Sequence, residues 1–350
     1  LVNRSPLVVA ISTDGAAPVF GQAIRAKIEA LLPPGLKAWA QAAHDWRPMV
    51  KARELSFPLR RDFWERFTSR ALAEPQRRPD DNDRSDLNAA LGEIERGGAP
   101  NGRVTLVGAG PGDPELLTLK ARKALDTADV VIHDRLVTFE ILELARREAV
   151  LIDAGKEGFG PSMSQEEISR LIVEHGLQGA QVVRLKGGDP TVFGRLDEEI
   201  DAVDAAGLSW HVVPGITAAS ASVAAIGQSL TKRERNSSVR YLTGHDMKGF
   251  ADHDWKALAR AGEVAAIYMG KKSARFIQGR LLMHGADRST PVTLVENASR
   301  ADQRIVETTL DRLPTDLNAA NLTGPALTFY GLAPRAAARA TTELFQEEMA

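Results

Sequence analysis

At 350 residues, with 43% hydrophobic and 26% charged positions, the chain has apolar side chains enough for more than one packed core, and two or three domains are expected. Basic and acidic residues nearly cancel, 44 against 46, and no apolar run reaches membrane-spanning length, so neither nucleic acid nor a membrane is an expected partner. Cysteine is absent, which removes disulfides, thiolate metal sites, iron–sulfur clusters and cysteine nucleophiles; the seven histidines form no His-x-x-x-His pair, so no metal site is expected, and with no visible signal peptide the expected setting is the cytoplasm.

Leu7 to Ile11 reads as a buried strand and Ser12 to Gly15 as turn chemistry. A strand so near the start suggests the tail of a larger sheet. Phe20, Ile24, Ile28 and Leu31 share one face at helical spacing, and Pro33-Pro34 ends that helix. Leu36, Trp39, Ala43 and Trp46 make a second helical face, interrupted at Pro48. Phe63, Trp64 and Phe67 make a third. This small aromatic-rich helical unit reads either as a dimerisation module or as an ordinary helical core. Glu74 to Arg103 is dense in proline, glycine and charge and reads as a solvated connector, with room for one amphipathic helix through Leu87, Leu91 and Ile94.

The stretch from Val104 onward organises the rest. A β-branched run stops at Gly108-Ala-Gly110-Pro-Gly112-Asp113, and Leu116, Leu117, Leu119 and Ala121 then open a helical pattern. In open α/β sheets such a loop, at the carboxyl end of a strand, is where ligands bind. A dinucleotide fingerprint needs a third glycine at 113, where Asp113 would repel a pyrophosphate. Asp113 either caps the next helix or lies near a cationic ligand. Further strands are expected at Asp129–Ile132, Val150–Ile152, Gln181–Leu185 and Trp210–Val213, with a helical pattern at Ile168, Leu171 and Ile172. That alternation argues for a mostly parallel sheet covered on both faces. Beyond about 235, strands at 239–242, 265–268, 292–295, 304–307 and 326–330, interrupted by two helices, read as a second α/β domain with a more mixed sheet.

Five strand-ending loops carry glycine and charge: Gly108–Asp113, His133–Val137, Lys186–Arg195, Val213–Ser220 and Tyr268–Lys272. Their motifs make the set recognisable. Val-Gly-Ala-Gly-Pro-Gly-Asp at 107–113, Asp-Arg-Leu-Val at 134–137 and Arg-Leu-Lys-Gly-Gly-Asp-Pro at 184–190 are followed in order by Val-Pro-Gly-Ile-Thr-Ala-Ala at 213–219 and Thr-Gly-His at 243–245. Tyr-Met-Gly at 268–270 and Val-Glu-Asn at 295–297 complete the series. Together they resemble the tetrapyrrole methylases, most closely the uroporphyrinogen-III C-methyltransferase part of siroheme synthases. Upstream, Arg4-Ser-Pro-Leu-Val-Val-Ala10, Pro18-Val19 and Arg61-x-Phe63-Trp64-Glu65 resemble the dehydrogenase–chelatase half after its dinucleotide domain, although Asn3 replaces a usual aspartate and Thr13-Asp14 a usual Ser-Gly.

The resemblance implies a parallel-sheet α/β domain plus a mixed-sheet domain with a cleft between, preceded by a small, mostly helical dimerisation region. The expected boundaries are 1–73 for the dehydrogenase–chelatase remnant, 74–103 for the linker, 104–235 and 236–350 for the methylase domains. It implies S-adenosyl-L-methionine as methyl donor and uroporphyrinogen III as acceptor, methylated twice to precorrin-2, in a homodimer. NAD is expected only if a dinucleotide-binding unit precedes Leu1. By resemblance, Pro111, Gly187, Gly188, Asp189, Val192, Thr217, Ala218, Met269 and Ala298 hold the donor, with Ala298 replacing a usual glycine and Val192 a usual isoleucine. Asp134 matches the proton acceptor and Lys156 the proton donor. A sulfonium is a cation without phosphates, so carboxylates beside glycine turns suit it. The polycarboxylate acceptor needs cations, and Arg195, Lys232, Arg233, Arg235 and Arg300 are the candidates. The rival readings are a nicotinamide dehydrogenase, a non-catalytic binding dimer and a sister methylase acting on a later corrin intermediate.

Overall fold

The computed structural model describes residues 1–13, 17–53, 55, 57–97, 102–155, 163–246 and 249–335. Asp14–Gly15, Gly98–Pro100, Lys156 and the chain beyond 335 carry parts of the turn, connector, catalytic and carboxyl-terminal readings; they lie outside the described residues. The chain forms two compact units, Leu1–Asn101 with Gln178–Ala180, and Gly102–Leu177 with Gln181–Ala350.

The first unit opens with an antiparallel hairpin of β1 (Val2–Arg4) and β2 (Leu7–Val9). The expected buried strand is therefore shorter, and Leu7 and Val8 are exposed. In this two-stranded ribbon the buried place goes to Val2 of the partner strand. Helix α1 (Pro18–Leu31) starts on a proline, whose missing N–H costs nothing in a first turn. Its apolar face is covered only in part: Ile24 and Ile28 are half-buried, while Phe20 is 63% exposed and Leu31 76%.

Helix α2 (Leu36–Ala52) runs straight through Pro48, which sequence pattern marks as a break. A mid-helix proline costs about 3 kcal/mol. Here Trp46 and Val50, on either side, are both buried, and that packing outweighs the lost bond. Helices α3 (Phe57–Ala73) and α4 (Asp81–Gly97) complete a core around Trp39, Phe63 and Leu91. Phe67 meets Trp39 and Trp46 edge-on, at centroid distances of 5.5 and 5.6 Å. The connector charges are not all solvated. Asp83 at the start of α4 is buried and accepts from Arg77 Nη1 and Nη2, both at 2.7 Å, and from Arg70 Nη1 at 3.1 Å. The Arg77 hydrogen bonds hold the Asp83 carboxyl down at about 2.

The second unit begins with β3 (Arg103–Gly108), a 3₁₀ turn at Pro114–Leu116, and α5 (Leu119–Thr127). The helix starts later than the Leu116 pattern suggests. Asp113 accepts from Glu115 N at 2.8 Å and caps the 3₁₀ turn, and Thr118 then caps α5 through Ala121 N. There follow β4 (Val130–His133), α6 (Phe139–Leu142), β5 (Val150–Asp153), α7 (Gln165–Leu177) and β6 (Gln181–Lys186). The half closes with α8 (Leu196–Ala205), β7 (Ser209–Val213) and α9 (Ala218–Ala225). The five strands are all parallel, in the order β5-β4-β6-β3-β7. Central strands of such a sheet are covered on both faces, and Leu106, Val107, Val131 and Leu185 are fully buried.

The second half comprises β8 (Arg240–Thr243), a small hairpin of β9 (His245–Asp246) and β10 (Gly249–Phe250), and α10 (Trp255–Leu258). It continues through β11 (Ala265–Tyr268), α11 (Ala274–Met283), β12 (Pro291–Glu296), β13 (Arg304–Thr309), α12 (Leu313–Ala320) and β14 (Ala326–Tyr330). Among the described residues three helices, not two, interrupt the strands. The sheet order is β13-β12-β14-β11-β8, with β11 and β8 parallel and the other pairs antiparallel. This is the mixed sheet that the sequence suggests.

Candidate functional site

Strand β3 lies between β6 and β7, so the loops that leave these three strands are neighbours. They meet backbone to backbone. Ala109 N donates to Lys186 O at 2.8 Å, and Gly110 and Gly188 exchange two bonds, at 3.1 and 2.7 Å. A Cβ on Gly108 would stand 2.6 Å from Gly215 N and 2.7 Å from Gly188 O, so three loops touch where a side chain would part them. The first, third and fourth glycine-rich loops therefore form one cluster.

The second loop is fastened to it through Asp134. Its Oδ2 accepts from Gly187 N at 3.0 Å and its Oδ1 from Leu136 N at 2.9 Å. The carboxylate thus holds its own turn and the Gly187 backbone together. Asp189 accepts from Thr191 N and Thr191 Oγ1 through the same oxygen, at 2.8 and 2.6 Å, and Val192 N closes the turn on Asp189 O at 3.1 Å.

The mixed sheet meets this cluster at two places. Thr217 Oγ1 and Tyr268 Oη share a hydrogen bond of 2.5 Å, and Ala219 N donates to the same phenol at 3.2 Å. Burial pushes the Tyr268 phenol above its ordinary value. Phe193, held at φ 51°, sets its ring 5.0 Å from that of Tyr268. At the second place, residues 297–300 reach Pro111, Asp113 and Leu136. Of the nine expected donor positions, Met269 and Ala298 come from the mixed sheet, one exposed at φ 54° and the other buried. A Cβ on Gly188 would stand at ordinary contact distance from the fourth loop, 3.8 Å from Ala218 N and 4.0 Å from Thr217 Cα.

The expected acceptor-site cations are disposed differently. Arg195 makes a bidentate pair with Glu198, at 2.8 and 2.6 Å, which raises its own pKa and lowers that of Glu198. Arg300 donates to two backbone carbonyls of the parallel half. Lys232, Arg233 and Arg235 line an open depression of about 560 Å³ formed by residues 231–237 of one loop, with Glu234 among them. Arg235 is turned inward on Asn236 Oδ1 and Ser229 O, at 2.8 and 2.5 Å.

Sequence reasoning gave no role to Tyr268 or Ser299, and it missed a buried charge cluster. Glu199 is fully buried in α8 and accepts from Arg184 Nε at 2.9 Å and from Lys186 Nζ at 2.8 Å on each oxygen. Burial, then Arg184, pulls the Lys186 pKa down. The signal was available: two cations at period-two spacing in an apolar strand face the same way and require a buried anion.

Residues 103–314 match the family of Tetrapyrrole (Corrin/Porphyrin) Methylases, residues 35–86 the sirohaem synthase dimerisation region, and residues 4–31 the central region of a sirohaem biosynthesis protein. The siroheme synthase of Edwardsiella ictaluri is 45% identical over 332 residues, covering 95% of this chain and 71% of that protein. Siroheme synthase 1 of Aeromonas salmonicida is 44% identical over 95% of this chain and 70% of its own length. The chain belongs to the tetrapyrrole methylase family, on its siroheme synthase branch. Among solved structures, a uroporphyrin-III C-methyl transferase from Thermus thermophilus, complexed with S-adenyl homocysteine, superposes on the methylase with a TM-score of 0.57. It is 39% identical, covering 66% of this chain and 97% of its own.

The Gly188 backbone faces the Thr217–Ala218 backbone, so the third and fourth loops adjoin there as well. The Asp113 side chain is occupied as a cap, so its turn presents no pyrophosphate-binding helix end.

Proposed function

We propose that this methylase transfers methyl groups from S-adenosyl-L-methionine to carbon atoms of uroporphyrinogen III, twice, giving precorrin-2 on the way to siroheme. The observation that carries the reading is the contact of the Gly108, Gly188 and Gly215 backbones, with Thr217 tied across to Tyr268 of the mixed sheet. Pro111, Gly187, Gly188, Asp189, Val192, Thr217, Ala218, Met269 and Ala298 hold the donor in this reading. When bound, the donor supplies a one-carbon group on a positively charged sulfur.

An in-line displacement needs approach geometry more than a covalent intermediate. The backbone contacts supply rigidity, and Met269 offers the donor a soft apolar contact. Asp134 takes the proton that leaves the macrocycle. An ionised carboxylate oxygen accepts more than one hydrogen bond, so its fastening to Gly187 N and Leu136 N leaves capacity for that proton. Lys156 is the proton donor by resemblance alone. Arg195, Lys232, Arg233 and Arg235 are the cations assigned to the acceptor carboxylates; Arg195 would exchange Glu198 for one of them.

A wider reading is favoured by the match at residues 4–31: a multifunctional siroheme synthase that also oxidises precorrin-2 with NAD and inserts iron, given an upstream dinucleotide-binding unit. The active form is a homodimer in the cytoplasm. Incubation with S-adenosylmethionine and uroporphyrinogen III, followed by mass spectrometry, tests the main reading: a gain of two methyl groups supports it, and an unchanged acceptor mass removes it.

A further inference from the structure

The chain turns sharply after β12. Asn297 and Ser299 both adopt left-handed backbone, at φ 50° and 67°, and Arg300 N closes the turn on Asn297 O at 3.0 Å. Ser299 N is held by Gln303 Oε1 at 2.8 Å. Two side chains leave this turn toward the loops of the parallel half. Ser299 Oγ accepts from Asp113 N at 3.3 Å. Arg300 Nε donates to Pro111 O at 3.3 Å, and its Nη2 donates to Leu136 O at 2.8 Å. Thr138 Oγ1 donates to Gly112 O at 2.9 Å and joins the same two loops from their own side.

Gly112 leaves the passage for this arginine. Its φ is 140°, and a Cβ there would stand 2.5 Å from Arg300 Nε and 2.8 Å from Arg300 Cγ. Among the described residues no carboxylate lies within ion-pair distance of Arg300; its fork is directed at peptide carbonyls from two loops. Ala298 is buried beside these two anchors.

We propose that Arg300 is a positioning residue: a latch from the mixed sheet that fixes the 108–113 and 134–138 loops, and with them the wall of the donor pocket at Ala298. The inference rests on the methyl-donor reading of that pocket. It assigns Arg300 to donor binding and loop order, not to the acceptor's carboxylates. Two carbonyls in different directions need the planar fork of arginine, and a lysine can serve one of them.

The test uses the full chain carrying Arg300→Met, Arg300→Lys or Ser299→Ala. S-adenosylhomocysteine affinity is measured by calorimetry, the Michaelis constants of donor and porphyrinogen separately, and amide hydrogen exchange without ligand. Arg300→Met is expected to weaken S-adenosylhomocysteine about tenfold, as the loss of two charge-assisted bonds implies. Exchange should quicken at both 109–113 and 135–138, while the porphyrinogen constant stays within about twofold. Arg300→Lys should recover only part of the affinity. An unchanged affinity with a raised porphyrinogen constant, full recovery by lysine, or unaltered exchange in both loops would overturn the latch. If Arg300→Met does not fold, Ser299→Ala decides: quicker exchange at 113 with 135–138 unchanged supports the latch, and no change at 113 overturns it. If the unaltered chain binds no S-adenosylhomocysteine, the donor reading fails, and the exchange pattern still tests the latch.

Discussion

Asp134 fastens two loops with one side chain, and in the proposed mechanism the same carboxylate takes a proton. Its two oxygens accept amide protons from Leu136 and Gly187. Asparagine has nearly the same shape, but one of its two positions carries N–H and would point at an amide N–H. One bond becomes a repulsion, and the proton acceptor is lost. Asp134→Asn is therefore expected to slow methyl transfer in a single turnover by about a hundredfold or more. Mass gain against time is the measurement. A variant at the full rate would take Asp134 out of the proton transfer. The sequence showed the aspartate in its loop, but not that the loop closes on Gly187, because that contact joins residues 53 positions apart.

Strand β6 and helix α8 are joined by charge as well as by apolar packing. Arg184 and Lys186 approach Glu199 from one face of the strand, and Gln165 Nε2 adds a bond at 3.3 Å. Removing the single anion strands two buried cations. Glu199→Gln is expected to destabilise the fold by about 3–5 kcal/mol, read from the denaturant midpoint. Because the Lys186 pKa is lowered in the folded state, the unfolded chain binds more protons between that lowered value and 10.5. Stability supplied through this lysine therefore rises with pH across that window. A Lys186→Met variant that keeps the same alkaline slope would contradict the assignment.

The parallel and mixed strands follow from short apolar runs bounded by turn residues, and their places agree with the pattern to within a residue or two. Pro48 inside α2, the buried Asp83 and the exposure of Phe20 and Leu31 on α1 did not follow. Each is decided by what the element packs against, which local periodicity does not encode. Of the site, the loops were readable and the ties between the sheets were not: Tyr268 to Thr217 and Arg300 to Leu136 depend on side-chain reach across the fold.

At the scale of the whole molecule, the proposed function and the proposed assembly draw on different stretches of chain. Every described residue placed in the candidate site lies between 108 and 300. The match to a dimerisation region lies at 35–86, next to a helix that leaves Phe20 and Leu31 exposed on one face. Exposed apolar side chains mark candidate interaction surfaces, and the occupant proposed for this one is a second copy of the chain, because α1 adjoins the dimerisation match in sequence. Replacing both residues by aspartate puts two charges on each side of that contact and four across it. Phe20→Asp with Leu31→Asp is therefore expected to convert a dimer to a monomer in sedimentation velocity. Methyl transfer per chain should stay within about twofold, because the charges lie far in sequence from the donor and acceptor loops and alter no residue of the site. A variant of unchanged mass would place the dimer contact elsewhere. A monomer that folds but no longer methylates would mean that the partner subunit completes the site, and the single-chain account of catalysis would have to be given up.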